Sequence, residues 1–301
     1  MYCFNRSSLS VSAIALIAAV TGFSSAAQAQ IKIDGSSTVY PITERAASAF
    51  QKDNSGKKVT VGVSGTGGGF KKFCKGETDI SNASRPISDK EKESCKSGNV
   101  KFVEIEIATD ALTVVVNPSN PISSISKSDL KKIWDKGSTV KNWKEANSSF
   151  PDLPIKLFGP GADSGTFDYF TQEINGTAKQ SRADYTGSED DNVLVQGVSR
   201  DKTAMGYFGF AYYEKNKNRL KALNIDGIRP DLVNVKKGTY PLSRPVFIYV
   251  NVDKIKSNGD LKSFVEYYLK GAEGFVTKAG YLPLSSNKYT EGQKKLSDAT
   301  K

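Results

Sequence analysis

The sequence predicts an α/β protein folded as two lobes joined by two crossings of the chain. Three observations carry this. A strand, a glycine- and hydroxyl-rich turn and a helix follow one another in three places. Strands and helices alternate along most of the chain, as in a mainly parallel sheet. Two apolar stretches, residues 103–116 and 243–250, interrupt that alternation as a chain does when it leaves one lobe and later returns.

Residues 1–29 have the build of a secretory signal: Arg6, the apolar run from Val11 to Val20, and the small-residue cleavage site Ala27-Gln-Ala29. The mature chain is expected to begin near Gln30 and to be soluble and exported. No cysteine closely follows the apolar run, and no later run is long enough to span a bilayer. Cys3 leaves with the signal, so Cys74 and Cys95 remain, and an oxidising compartment favours their pairing. Such a bridge closes a loop of about 20 residues and adds roughly 3 kcal/mol through loop entropy.

Taken in order, Ile31 to Asp34 reads as a strand, Gly35-Ser-Ser-Thr38 as a turn, and Pro41 as the opening of a helix with Ile42, Ala46, Ala49 and Phe50 at helical spacing. Val59, Val61 and Val63 alternate as a strand, and Ser64-Gly-Thr-Gly-Gly-Gly69 leads into a short helix at Phe70 to Phe73. Thr78 to Ile80 leads to Ser81-Asn-Ala-Ser-Arg-Pro86, extended before the proline, with Arg85 at a turn. A polar helix over 88–96 precedes a strand with Val103, Ile105 and Ile107 facing in and Glu104 and Glu106 facing out. A second apolar strand, 112–116, follows almost end to end. Further on, Ile155 to Phe158 ends a strand, a glycine-rich turn with two hydroxyls follows, and the aromatic residues after Thr166 suit a helix. A helix over 190–199 and an aromatic strand over 205–210 come next. Ser243-Arg-Pro245 with Val246 to Val250 is the return crossing. Leu261, Phe264, Val265 and Leu269 share a helix face, and the polar tail from about Asn287 is expected to be loose. Lobe I is therefore 30–109 with 246–301, and lobe II is 110–245.

Composition excludes several functions. The net charge of +10 comes from Lys and Arg scattered among acids, a solvated surface and not a nucleic-acid stripe; a matrix-binding role for that basic surface would leave the glycine-hydroxyl turns unexplained. There is no histidine, which removes Ser-His-Asp and Cys-His catalysis and histidine zinc sites. Asp163-Ser-Gly165 resembles a protease nucleophile sequence but has no base. Ser124-x-x-Lys127 sits at a helix start, where Ser126 to Asp129 forms a capping box. A phosphate-ester hydrolase would need metals or an activated nucleophile, and no carboxylate cluster has ligand spacing.

The three turns carry the chemistry. Free N–H groups at a helix start, beside hydroxyls and with glycine allowing close approach, make a seat for an anion. None ends in the Gly-Lys-Ser/Thr of a nucleotide loop, so the expected ligand is a small bare oxyanion. Closure of the lobes would bury it and strip its water.

These residues resemble the phosphate-binding protein of the bacterial high-affinity phosphate ABC transporter. The match covers nearly all of the mature chain: Asp-Gly-Ser-Ser-Thr-Val-Tyr-Pro from Asp34, Ser-Gly-Thr-Gly-Gly-Gly-Phe from Ser64, Ser-Asn-Ala-Ser-Arg-Pro-Ile from Ser81, Leu-Lys-Lys-Ile-Trp from Leu130 and Asp-Ser-Gly-Thr-Phe from Asp163. The resemblance implies a two-lobed type II periplasmic-binding-protein fold, no cofactor, no metal, no catalysis, and delivery of phosphate by a monomer to permease subunits. It implies phosphate contacts from Ser37, Thr38 and Val39, from Thr66, and from Ser164, Gly165 and Thr166, with Ser84 beside them. Two positions depart from the best-known members. Arg85 stands where they have a carboxylate acceptor, and Pro160 where they have an arginine. Arg85 is therefore expected to supply the positive charge from the opposite lobe. The acceptor that would tell protonated phosphate from sulfate stays open among Asp163, Asp191, Glu44 and Asp190. Sulfate, molybdate or an organic phosphate remain alternative ligands.

Overall fold

A computed structural model describes residues 1, 2 and 30–301. The expected signal segment thus lies, beyond its first two residues, outside the described residues. The first lobe opens with β1 (Ile31–Gly35), α1 (Tyr40–Asp53), β2 (Val59–Val61), α2 (Gly65–Phe73), β3 (Ile80–Ala83) and α3 (Asp89–Ser97). The chain leaves it along β4 (Phe102–Val116) and builds the second lobe from β5 (Ser124–Ile125), α4 (Lys127–Trp134), α5 (Trp143–Ala146), β6 (Lys156–Pro160), α6 (Gly165–Phe170) with a π-helical turn at Thr171–Asn175, β7 (Thr186–Ser188), α7 (Asp191–Arg200), β8 (Ala204–Gly209), α8 (Phe210–Asn216), β9 (Lys221–Ala222), β10 (Asn224–Ile225) and α9 (Leu232–Lys236). It returns along β11 (Ser243–Asn251) and ends with α10 (Val252–Ser257), α11 (Gly259–Ala279) and α12 (Ser286–Ala299). No helix among the described residues is long and apolar enough to cross a membrane.

The main sheet follows one path, β2-β1-β3-β11-β4-β8-β6-β7, with β9 also on β4, and β5 pairs with β10 apart from it. Pairing is parallel on either side, where β1 meets β2 and β3 and where β6 meets β7 and β8. It is antiparallel in the middle, where β11 meets β3 and β4 and where β4 meets β8. The sheet is thus mixed and not mainly parallel. The chain leaves by one central strand and returns by its neighbour, so those two must run in opposite directions.

The two strands expected end to end are one strand of 15 residues. Nothing between Ile107 and Leu112 breaks it: Ala108 to Ala111 pair with Ser243 to Val246 of β11, and Leu112 to Val116 pair with β8. Only a register shift between Val246 and Phe247 marks the change. Extra residues at such a bulge bend a strand and increase its twist.

Each lobe has its own core. The first packs Ile31, Ile33, Phe50, Ile105, Ile248 and Phe264. The second gathers Leu112, Trp134, Trp143, Phe170 and Tyr207, with Phe170 stacked on Tyr207 at 3.8 Å between ring centres. Apolar positions at helical spacing make α11 span both turns of this packing: Leu261, Phe264, Val265, Tyr268 and Leu269 are buried.

The polar tail is not loose. It forms α12, whose Tyr289, Gly292 and Leu296 make a helical stripe against β4. A Cβ at Gly292 would lie 3.0 Å from the Ile105 side chain, and the Tyr289 hydroxyl donates to the Ile107 carbonyl at 3.0 Å. One aromatic, one glycine and one aliphatic contact suffice to dock a helix whose remaining face is polar.

Cys74 and Cys95 form a disulfide that ties the end of α2 to α3. Replacing both by serine is expected to cost about 3 kcal/mol and to lower the melting temperature by several degrees; calorimetry of wild-type and double-serine protein in non-reducing buffer checks this.

Candidate functional site

All three glycine-hydroxyl turns point to one place. After β1, Ser37, Thr38 and Val39 are buried, and the Ser36 carbonyl accepts from the N–H groups of Val39 at 3.2 Å and Tyr40 at 3.0 Å as α1 begins. The Val39 N–H is thus engaged within its own turn. After β2, Ser64 precedes Gly65, whose φ of +75° suits glycine, and Thr66 follows inside α2. In the second lobe Ser164 caps α6, accepting from the Thr166 N–H at 3.1 Å.

These turns touch across the cleft. The Thr38 and Thr166 hydroxyls lie 3.0 Å apart, and those of Thr66 and Ser84 lie 3.2 Å apart. The Ser84 N–H also donates to the Thr66 hydroxyl at 3.1 Å. A Cβ at Gly165 would sit 2.5 Å from the Thr66 hydroxyl and 2.6 Å from that of Ser84. Only glycine lets the start of α6 come this close to the first lobe. Thr38, Thr66, Ser84, Gly165 and Thr166 are therefore brought together, with Ser37 and Ser164 alongside.

The positive charge at this cluster is Arg244, which the sequence marks only as part of the return crossing. Its Nη2 donates to the Thr166 hydroxyl at 2.7 Å, to Asp110 at 3.2 Å and to the Thr38 hydroxyl at 3.4 Å, while Nη1 donates to the Gly165 carbonyl at 2.9 Å. Arg244 is 3% exposed and Asp110 is 0% exposed. The two face each other as cross-strand partners on β11 and β4. Burial pushes the Asp110 carboxyl up, and the guanidinium draws it back down.

Arg85 lies elsewhere. Its Nε donates to Asp168 at 2.6 Å, and Nη1 and Nη2 donate to the two oxygens of Glu91 at 2.8 Å each. Each nitrogen of the guanidinium has a carboxylate partner, and none of its bonds goes to a hydroxyl of the cluster. Pro160 ends β6, and its carbonyl accepts from the Tyr185 hydroxyl at 3.0 Å.

The carboxylates separate by environment. Both oxygens of Asp163 accept from Lys71 at 2.8 Å, and its carbonyl accepts from the Gly67 N–H at 2.7 Å. Glu44 accepts from Ser48 on the outer side of α1, and Asp190 is an exposed cap of α7. Asp191 is 0% exposed and accepts from the Ser37 hydroxyl at 3.2 Å, while its Oδ2 has no partner among the described residues. Burial pushes its carboxyl up to about 7, against the pull of the Ser37 bond. Among the described residues no group of three or more His, Cys, Asp or Glu is placed to hold a metal ion.

Hydroxyls, a helix start and one guanidinium converging from two lobes make a seat for a small oxyanion. A family profile described as PBP superfamily domain matches residues 23–271. The chain belongs to the PBP superfamily. The type II architecture of that superfamily, two lobes joined by hinge strands, is the one formed here by β4 and β11. Among relatives, protein SphX of Synechococcus elongatus is 51% identical over 274 residues, covering 88% of this chain and 81% of that protein. The phosphate-binding protein PstS of Staphylococcus saprophyticus is 39% identical over 279 residues, covering 90% and 85%. Among solved structures of the superfamily, a possible phosphate binding protein from Planctomyces limnophilus is 43% identical and matches with a TM-score of 0.66 over 91% of this chain and 99% of that one.

Two outcomes follow from the buried charges. Arg244→Met leaves Asp110 without its partner and is expected to destabilise the protein by about 3–5 kcal/mol; Asp110→Asn in the same chain should recover much of this in denaturant unfolding. Asp191 keeps its proton in the folded chain up to about 7, whereas an ordinary aspartate releases it near 3.8. The folded state binds the extra proton in that window, so this group's contribution to stability falls as pH rises between those values and is flat above. Asp191→Asn should flatten that part of the stability-versus-pH curve.

Proposed function

We propose that this chain is an exported, periplasmic receptor that binds inorganic phosphate between its lobes and delivers it to the permease subunits of an ABC transporter, acting as a monomer and not as an enzyme. The observation that carries the reading is the meeting of Thr38, Thr66 and Ser84 with Gly165, Thr166 and Arg244. The names of the relatives, phosphate-binding protein among them, support the same ligand. The lobes divide near residues 109/110 and 245/246, so Arg244 and Asp110 stand at the crossings, where closure brings the two sets of hydroxyls together.

In this reading neutral hydroxyls and N–H groups supply most of the hydrogen bonds and Arg244 supplies a charge-assisted one. Closure excludes water, which strengthens each of them. Selectivity falls to Ser37 and Asp191. The Ser37 proton is committed to Asp191, which leaves the Ser37 oxygen as an acceptor toward the ligand. Phosphate near neutral pH carries an O–H to offer it, and sulfate offers only a lone pair.

Calorimetric titration of the mature chain, refolded free of ligand, tests this with phosphate and then sulfate at one pH. Tight one-to-one phosphate binding without sulfate heat is expected. Thr166→Val should weaken phosphate binding by about 1–3 kcal/mol, and Asp191→Asn should narrow the gap between the two anions. Absence of phosphate heat would overturn the receptor reading. Equal binding of both anions would widen the ligand to oxyanions in general, and full selectivity in Asp191→Asn would move the acceptor role to Asp110.

A further inference from the structure

Arg85 is the residue whose placement the binding reading leaves unused. Its guanidinium is held from two directions. Glu91, on α3 of the same lobe, takes Nη1 and Nη2 in a two-pronged pair at 2.8 Å, and Asp168, in the first turn of α6 across the cleft, takes Nε at 2.6 Å. The side chains of Arg85 and Asp168 are 14% and 5% exposed. The other pair between these surfaces, Lys71 with Asp163, has its lysine 68% exposed, so water and salt weaken it far more.

The support behind Arg85 belongs to the first lobe. Glu91 also closes the capping box of α3, accepting from the Ser88 N–H at 2.9 Å and the Ser88 hydroxyl at 2.7 Å. The disulfide ties α3 to α2, the helix that carries Thr66. Arg85 therefore stays in place when the lobes separate, and its bond to Asp168 is the part that closure makes.

Asp168 gives the bond its consequence. A carboxylate in the first turn of a helix suits the helix dipole, but this helix start also faces the proposed anion, which a bare carboxylate would repel. Lys179 stands at 3.7 Å from Asp168 and leaves its Oδ1 without a hydrogen bond among the described residues. Arg85 is the cation in hydrogen-bond contact.

We propose that Arg85 is a positioning residue, a latch that closure engages on Asp168, and that it sets how long phosphate stays bound without touching it. This rests on the cleft being the phosphate site. A latch formed only in the closed state slows release and leaves capture nearly unchanged. A direct ligand of phosphate would act whether or not Asp168 can receive it. The two roles are therefore separable by a double-mutant cycle.

The experiment is stopped-flow measurement of phosphate association and release for the wild-type mature chain, Arg85→Gln, Arg85→Lys, Asp168→Asn and the Arg85→Gln/Asp168→Asn pair. Release is expected to quicken at least tenfold in Arg85→Gln, with association changed less than about threefold, and Arg85→Lys should restore part of the slow release. In the Asp168→Asn background, Arg85→Gln should add less than about twofold. A full independent effect of Arg85→Gln in that background, or release unchanged by Arg85→Gln, overturns the latch. Denaturant unfolding of the same four corners of the cycle at saturating phosphate, where the lobes are closed, reads the coupling of the two residues. Wild-type protein that binds no phosphate would sink the receptor reading alone, while an unfolding cycle with zero coupling would sink the latch alone.

Discussion

The Arg244–Asp110 pair is the interaction on which the arrangement of the site depends. The two residues are directly opposite on β11 and β4, the strands by which the chain crosses between lobes. Both are buried, and removing such charges from water is costly unless each meets a partner. Here each does, and Arg244 has donors left for Thr166 and the Gly165 carbonyl. The pair therefore fixes a cation on the floor of the cleft, on the two strands by which the chain crosses. Hydroxyls can then approach it from either side.

That placement explains why the surrounding groups are hydroxyls and backbone and not further cations. A second arginine beside Arg244 would repel it in a low-dielectric setting. Neutral donors add hydrogen bonds without that cost, and several of them are already oriented by local structure: Ser164 by its cap on α6, Thr66 by the Ser84 N–H. The Tyr212 hydroxyl donates to the Ser37 carbonyl at 2.9 Å, which holds the first turn against α8 of the other lobe. Donors ordered before a ligand arrives lower the entropic cost of capturing it.

Much of this was legible in the sequence. The turns announced themselves because glycine, serine and threonine between a strand and a helix have few structural reasons to recur, and Thr38, Thr66, Ser84, Gly165 and Thr166 do meet. The crossings were legible as apolar stretches out of step with the alternation. What stayed hidden depends on register. Whether β4 is one strand or two follows from its partners, not from its own residues, since Thr109 and Asp110 are tolerable in either. The helix α12 was hidden for a related reason: its buried stripe is only Tyr289, Gly292 and Leu296, and a glycine contributes to packing by what it lacks.

The two arginines make the limit sharper. Ser84-Arg-Pro86 and Ser243-Arg-Pro245 are the same tripeptide, each with an arginine directly before a proline, a position that disfavours helix. From sequence alone the first looked like the ligand's cation, because it lies next to a motif hydroxyl. The difference lies in what the fold sets nearby. Arg85 meets two carboxylates, Glu91 and Asp168, which occupy all three nitrogens. Arg244 meets one, Asp110, and keeps donors for the cleft. Each arginine thus takes its role from the number of carboxylates within its reach, and that number is set by strand register and helix placement. One tripeptide can therefore supply both the cation at the hinge and the bond between the lobes.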